Sequence, residues 1–243
     1  MQVEGQGSYF PLRVGVDQSF LSTIRNVTPD LSGGSSGSFE FLDSAGVYAK
    51  GRWVASGPTP TEIRSVTFTA MKDGDATTSM LAFTKPLSKT RTTLQSFLAK
   101  STPDRLASEK RNLAGADTIT GGQMSVNSYD GGDRITTYFG KNNLVRAGLG
   151  DDRIKIGLTQ LVVPVKQRGA GGDFYGEGGV DQWVIGDYQT NWGSGKVVRI
   201  KDYEKGEPVT IANEFYTWGS TPLKTSEGWV YFQNLNHPDT RIV

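Results

Sequence analysis

The sequence predicts an all-β protein whose middle forms a parallel β-roll or β-helix solenoid, built from short strands. Two observations predict it. The chain holds 31 Gly and no Cys in 243 residues, and Gly favours tight turns because it tolerates positive φ angles. A turn-type position also recurs about every nine residues, followed two residues later by an apolar side chain, which is typical of a repeat fold. The turn-type positions are Asp117, Met124, Asp133, Asn142, Asp152, Thr159, Asp173 and Asp181. The apolar positions, which predict the core of the roll, are Ile119, Val126, Ile135, Leu144, Ile154, Leu161, Tyr175 and Trp183.

The first part of the chain, residues 1–36, reads as an extended N-terminal arm. It is rich in apolar side chains but lacks the periodicity of an independent core, and a Gly/Ser-rich segment follows it. An arm of this kind gains stability by burial against another subunit. The residues predicted to make that assembly contact are Tyr9, Phe10, Phe20 and Leu21.

Predicted elements also precede and follow the repeats. Residues 37–90 predict a β-rich module with a hairpin, because apolar and polar residues alternate around turn signals. Residues 91–112 predict a helical cap, in which Thr102 and Pro103 form a helix start. The roll is expected over 113–188 and a C-terminal β cap over 189–243, since a stack of repeats needs both ends covered.

The turns carry a motif. The segment from Gly148 to Ile154 fits G-x-G-x-D-x-U, where U is a large apolar residue, and the segment from Gly169 to Tyr175 fits it if Tyr counts as U. The chain therefore resembles the RTX, or haemolysin-type calcium-binding repeat, family, whose parallel β-roll and bound calcium are what the resemblance implies. The segment from Val198 to Val209 is similar to the closing segment of such rolls, although Pro208 replaces an acidic residue.

Calcium is the expected cofactor. Ca²⁺ prefers six to eight oxygen ligands, which carbonyls and carboxylates of a Gly-rich turn supply. In a two-sided roll alternate turns share an edge, so one edge is expected to carry the metal-ligating aspartates and the glycines beside them. These residues are Asp117, Asp133, Asp152, Asp173, Gly115, Gly131, Gly150 and Gly171. The other edge, with Met124, Asn142, Thr159 and Asp181, is expected to be held by hydrogen bonds and packing. The alternative is a metal-free roll in which Asp only hydrogen-bonds the backbone of its own turn.

Composition narrows the function classes. The formal net charge of +1 argues against a nucleic-acid-binding protein. No apolar run is long enough to span a membrane as a helix. The chain has one His and no G-x-S-x-G motif, so the sequence predicts that the protein is not an enzyme.

The predicted function is that of a non-catalytic structural or adhesive extracellular protein, a subunit of a larger assembly. Its expected partners are other protein subunits, with surface polysaccharide as a further candidate. The resemblance implies type I secretion without a cleaved signal peptide. Two alternatives remain open: a virion structural protein, such as a fibre, decoration or tail component, and a carbohydrate-binding module.

Overall fold

The computed structural model shows an all-β protein with two compact units, Met1–Leu113 and Ala114–Val243. It describes residues 1–6, 12–17, 19–29, 36–42, 48–56, 64–72, 75–82, 100–157, 169–186, 198–204, 206–211, 214–216, 224–225 and 228–232. Among the predicted features that lie outside the described residues are the turn of the hairpin, within residues 43–47, the first part of the helical cap at 91–99, and the core position Leu161.

The first unit contains six strands that pair in antiparallel fashion. In spatial order they are β1 (Gln2–Gln6), β7 (Asp75–Ala82), β6 (Ser65–Lys72), β5 (Tyr48–Ser56), β4 (Ser36–Leu42) and β3 (Arg25–Pro29). Alternate residues of β4, β5 and β6 are buried, as expected for strands with one face in a core. The buried rings of Phe39 and Phe68 meet edge to face, with centroids 5.3 Å apart.

The first unit also contains the short strand β2 (Leu12–Val14) and two helices, α1 (Phe20–Thr23) and α2 (Thr102–Leu113). Helix α2 buries two charged side chains against the segment before β3. Arg105 donates hydrogen bonds to the carbonyl oxygens of Ile24 and Ser22. Glu109 accepts from the Gly15 backbone N–H at 2.9 Å and from the Ser19 hydroxyl at 2.5 Å.

These contacts change the interpretation of residues 1–36. An extended arm, separate from the rest of the chain, was the expectation. The described part instead belongs to the first compact unit, because β1 pairs with β7, β3 pairs with β4, and α2 binds the turn before α1. The expected assembly residues Tyr9 and Phe10 lie outside the described residues, as do the side chains of Phe20 and Leu21.

The second unit is built mainly from parallel strands in two series. The first series is β8 (Thr118–Gly121), β10 (Arg134–Thr137), β12 (Arg153–Ile156), β14 (Gln182–Ile185) and β16 (Val209–Ile211). The second series is β9 (Met124–Asn127), β11 (Phe139–Leu149), β13 (Gly169–Gly178), β15 (Val198–Ile200) and β19 (Gly228–Phe232). Two further strands pair in antiparallel fashion, β17 (Glu214–Tyr216) with β16 and β18 (Lys224–Thr225) with β19.

Successive strands from β8 to β16 alternate between the two series. Strands β15, β16 and β19 continue the same parallel pairing beyond residue 188. The expected boundary between a roll over 113–188 and a separate cap over 189–243 therefore differs from the structure. Only β17 and β18, among the described strands of this region, depart from the parallel pattern.

Most of the expected core positions of this unit are buried. Ile119, Val126, Ile135, Ile154 and Trp183 are all fully shielded from solvent. Two positions are wrong by one residue: Leu144 is 37% exposed and Tyr175 is half-buried, whereas Val145 and Phe174 are fully buried. At Leu144 the cause is a register irregularity in β11 between Gly140 and Asn143. One extra residue in a strand moves every following side chain to the opposite face.

Candidate functional site: a ladder of buried carboxyl groups

Each strand of the first series is preceded by a buried acidic residue. These residues form what we name the carboxyl ladder: Asp117, Asp133, Asp152, Asp181 and Glu207. None is more than 5% exposed. Acidic side chains are rarely buried to this extent unless their oxygens are paired.

Backbone N–H groups connect neighbouring members of the ladder. The N–H of Asp117 donates to Asp133 Oδ1 at 2.8 Å, and the N–H of Asp133 donates to Asp152 Oδ1 at 2.7 Å. The N–H of Asp152 donates in turn to Asp181 Oδ1 at 3.0 Å. Each carboxyl group thus holds the start of the preceding strand in its series.

The ladder ends at Glu207. Its carboxyl group interacts electrostatically with Asp181, whose negative charge contributes, after desolvation, to raising the pKa of Glu207. Its Oε2 also accepts from Trp183 Nε1 at 2.8 Å and from the Glu204 N–H at 3.1 Å.

Glycines two residues before the aspartates allow the turns to stack closely. Gly131 and Gly150 have φ angles of +129° and +137°, which L side chains rarely adopt. A Cβ atom on Gly150 would lie 2.1 Å from the carbonyl oxygen of Gly131, so no larger residue fits. The close stacking is what brings Asp152 within hydrogen-bonding distance of the turn at Asp133.

The prediction that Asp173 shares an edge with Asp117, Asp133 and Asp152 is wrong. Asp173 lies in β13, in the second series, and accepts a hydrogen bond from Arg199 Nε at 2.5 Å. The carbonyl oxygen of Gly171 accepts from Asn143 Nδ2 at 2.8 Å. Asp181 takes the fourth position of the ladder instead, and Gly179 takes the position expected for Gly171, because its added Cβ would meet Gly150.

The error has a simple origin. The sequence prediction counts one additional strand near Leu161, with its turn at Thr159. In the described part of the chain β12 is followed directly by β13, which belongs to the other series, and Thr159 is outside that part. Counted with that strand, Asp173 falls on the first edge and Asp181 on the other, which is the reverse of the pairing seen among the described strands.

A second hydrogen-bonded centre, around Asn143, lies at the start of the inward-facing part of β11. Asn143 Oδ1 accepts from the Met124 N–H at 2.8 Å and from the Thr137 hydroxyl at 3.2 Å, and Asn143 is 2% exposed. The sequence predicted hydrogen bonding at the edge that carries Met124, but assigned it to Asn142, which is exposed. The same irregularity in β11 accounts for the difference of one residue.

Burial governs the electrostatics of the ladder. Desolvation raises the pKa of Asp133, Asp152 and Glu207 to about 7 and that of Asp181 to about 6. The negative charges of Asp181, Asp133 and Asp151 contribute further to raising the pKa of Asp152. Asp152 Oδ2 is buried without a hydrogen-bond partner, which disfavours the charged form. Near neutral pH the ladder therefore retains protons that ordinary carboxyl groups would have lost.

The sequence predicts calcium ligands along this edge of the second unit. Within the described residues, no group of three or more His, Cys, Asp or Glu side chains is arranged to hold a metal ion. The carbonyl oxygens of the stacked turns are also engaged: Asp130, Leu149 and Gly178 accept the N–H groups of Gly115, Gly131 and Gly150. Calcium binding stays a prediction.

Sequence reasoning missed Glu207 and Asn143 as structural polar residues, and it placed Asp181 on the opposite edge, among the residues expected to be held by hydrogen bonds and packing. A signal for Asp181 is present, because Gly179-Val180-Asp181 repeats the Gly-x-Asp pattern that precedes β8, β10 and β12. Glu207 directly follows Gly206, a shorter form of the same pattern. No comparable pattern marks Asn143.

No protein-family model, no curated protein and no solved structure matches this chain. Among the described residues there is no helix that is long and apolar enough to cross a membrane.

Proposed function

We propose that this chain is a non-catalytic structural or adhesive protein that acts outside the cell, built on a degenerate RTX-like β-roll. The observation that carries the proposal is the alternation of successive parallel strands between two series, joined by stacked Gly-rich turns. This pairing is what a two-sided parallel roll requires, and a stack of repeats is a common way to build an extended structural element.

The chemistry of the carboxyl ladder supports a structural role. Asp133 and Asp152 are 0% and 2% exposed, so their carboxyl groups cannot reach a substrate in solution. Their hydrogen bonds go to the backbone of the neighbouring turn. The raised pKa values of these carboxyl groups follow from their burial in the carboxyl ladder.

In this proposal, the chain is a subunit of a larger assembly. A repeat stack ends in strands with free backbone groups, which must be covered by capping segments or by a neighbouring chain. The RTX resemblance supports an extracellular setting, in a surface layer, a matrix or an appendage.

The test is the location and native mass of the protein in the cells that produce it. An antibody against the chain should detect it in the medium or the surface fraction, in particles much larger than the 26.4 kDa of one chain. A cytosolic marker in the same fractions controls for lysis. Recovery as a free single chain in the cytosolic fraction would contradict the proposal, and recovery in purified virus particles would replace it with the virion alternative.

A further inference from the structure

The outward face of the first strand series presents an unusual arrangement of charge. Eight side chains of β8, β10, β12 and β14 alternate with the buried core residues and point away from them. They form two rows across the strands. We name this surface the cationic strip: Thr118, Arg134, Arg153 and Gln182 in one row, and Thr120, Thr136, Lys155 and Val184 in the other.

Three of these positions are cationic and none is acidic. Arg134 and Arg153 are directly opposite each other on neighbouring strands, which lie about 4.8 Å apart. Lys155 is two residues after Arg153, on the same face. Like charges placed opposite each other in a sheet destabilise it. The facing arginines therefore cost folding stability.

In the second strand series, arginines on neighbouring strands are paired with carboxylates. There Arg146 forms an ion pair with Glu177 at 2.9 Å, and Arg199 forms one with Asp173 at 2.5 Å. Among the described residues, no carboxylate lies within ion-pair distance of Arg134, Arg153 or Lys155. The charges of the strip are thus available to a partner.

We propose that the cationic strip binds a linear polysaccharide that carries carboxylate groups, an inference that rests on the adhesive function proposed above. Arg recognises carboxylates through two parallel N–H···O bonds, which makes it better suited to this group than a point charge. The Arg residues follow one another across the strands, so an extended chain laid along the row would meet successive cations. Thr118, Thr136 and Gln182 add hydroxyl and amide groups that can hydrogen-bond sugar hydroxyls.

Charge and shape favour this partner over nucleic acid. The strip has no aromatic residue on which unpaired bases could stack. It is the face of a sheet and offers no helix or ribbon to a duplex groove. The net charge of the whole chain is only +1, whereas nucleic-acid-binding domains are usually strongly basic.

The experiment measures binding of the full chain to polygalacturonate by affinity electrophoresis or calorimetry at low salt. Two polymers serve as ligand controls: fully methyl-esterified polygalacturonate, which has no charge, and sulfated dextran, which has the wrong anion. Wild-type protein should bind polygalacturonate best and should lose affinity as salt is raised.

The variant Arg134→Gln/Arg153→Gln should bind polygalacturonate at least about tenfold more weakly, because both bidentate contacts are removed. The matched control is Arg52→Gln/Arg64→Gln, which removes the same charge from two exposed positions of the other compact unit and should bind as wild type. The polymer should also raise the Tm of wild type and leave that of the strip variant unchanged.

Equal binding by the strip variant and wild type would overturn the inference. So would equal binding of the esterified polymer, or tighter binding of sulfated dextran, duplex DNA or anionic vesicles. Since the strip variant removes a repulsion, its own Tm in the absence of polymer should be equal to or higher than that of wild type, so loss of binding is not a folding defect. A negative result here leaves the location and assembly test of the proposed function unaffected.

Discussion

The carboxyl group of Asp152 accepts a hydrogen bond from the backbone N–H of Asp133, 19 positions earlier in the chain, at 2.7 Å. The contact joins the starts of two neighbouring parallel strands, β10 and β12, and is repeated at Asp117 and Asp181. A turn residue that in sequence looks like a surface ligand is therefore part of the interior.

Removal of one carboxyl group of the ladder should destabilise the second unit. Asp152→Ala leaves the N–H of Asp133 buried without its acceptor, which should cost roughly 1–3 kcal/mol in the free energy of unfolding. Urea denaturation near pH 5, where the wild-type carboxyl is largely neutral, measures the loss. Asp130→Ala, at an exposed neighbouring turn position, is the control and should cost less than about 0.5 kcal/mol. Equal losses in the two variants would show that the hydrogen bond between Asp152 and the Asp133 N–H does not contribute to the free energy of unfolding.

Stability should fall as the pH rises from about 4 to about 7. The folded-state pKa of Asp133, Asp152 and Glu207 is about 7, above the values near 4 of an unfolded chain. The folded protein binds more protons than the unfolded chain within this window, so the stabilisation from the protonated ladder is complete below it and is lost as the pH rises through the folded pKa. Tm measurements across the window check the direction.

Asp152→Asn is the control for the pH dependence. The amide oxygen can still accept the Asp133 N–H, but the side chain no longer titrates. The variant should therefore show a shallower decline of Tm with pH than wild type. A wild-type Tm that is constant or rises across this window would contradict the assignment of protons to the ladder.

The alternation of buried and exposed residues in β12 predicts a sharp contrast between neighbours. Ile154 is fully buried and Arg153 is exposed. Ile154→Ala should cost roughly 2–5 kcal/mol, as for other large-to-small changes in a core, and Arg153→Ala should cost less than about 0.5 kcal/mol. Chemical denaturation of both variants tests the register, and similar losses at the two positions would show that it is wrong.

The N-terminal segment should be needed for the stability of the first unit. Arg105 is 5% exposed and donates to the carbonyl oxygens of Ser22 and Ile24. Arg105→Ala leaves these acceptors without their donor and should cost roughly 2–3 kcal/mol. Arg111→Ala, at an exposed position of the same helix, is the control and should have a small effect. Amide hydrogen exchange over residues 12–29 measures the effect of both substitutions. Unchanged protection in Arg105→Ala would show that the Arg105 hydrogen bonds do not stabilise this segment.

Calcium remains a separate expectation, drawn from the RTX resemblance. If calcium binds the folded chain, millimolar Ca²⁺ should raise the Tm relative to EDTA by mass action. Mg²⁺ at the same concentration controls for ionic strength. Identical melting curves in Ca²⁺ and EDTA would leave the metal-free alternative, in which the ladder alone stabilises the turns.

Much of the second unit could be predicted because its signals are local. The positions of Ile119, Ile135, Ile154 and Trp183 follow from their distance to the preceding Asp, and all four are buried. Local spacing fails at Leu144, where an irregularity in β11 shifts the register by one residue. It also fails at Tyr175, because Asp173 lies within β13 and not in the turn before it. The strands of residues 198–232 that extend both series lack the repeat spacing, so only the similarity of the segment from Val198 to Val209 to a closing segment connected them with the repeats.

The sequence by itself determined the short strands, the Gly-rich turns and the inward apolar residues, since each depends on neighbours within a few positions. The tertiary structure decided which turns share an edge, and therefore that Asp181 and Glu207, not Asp173, complete the ladder. That choice depends on the number of strands formed over the whole intervening chain. The tertiary structure also decided the pKa values, because burial and charge come from residues far away in sequence. Asp152 is hydrogen-bonded to the turns at Asp133 and Asp181, and the charges of both residues raise its pKa further.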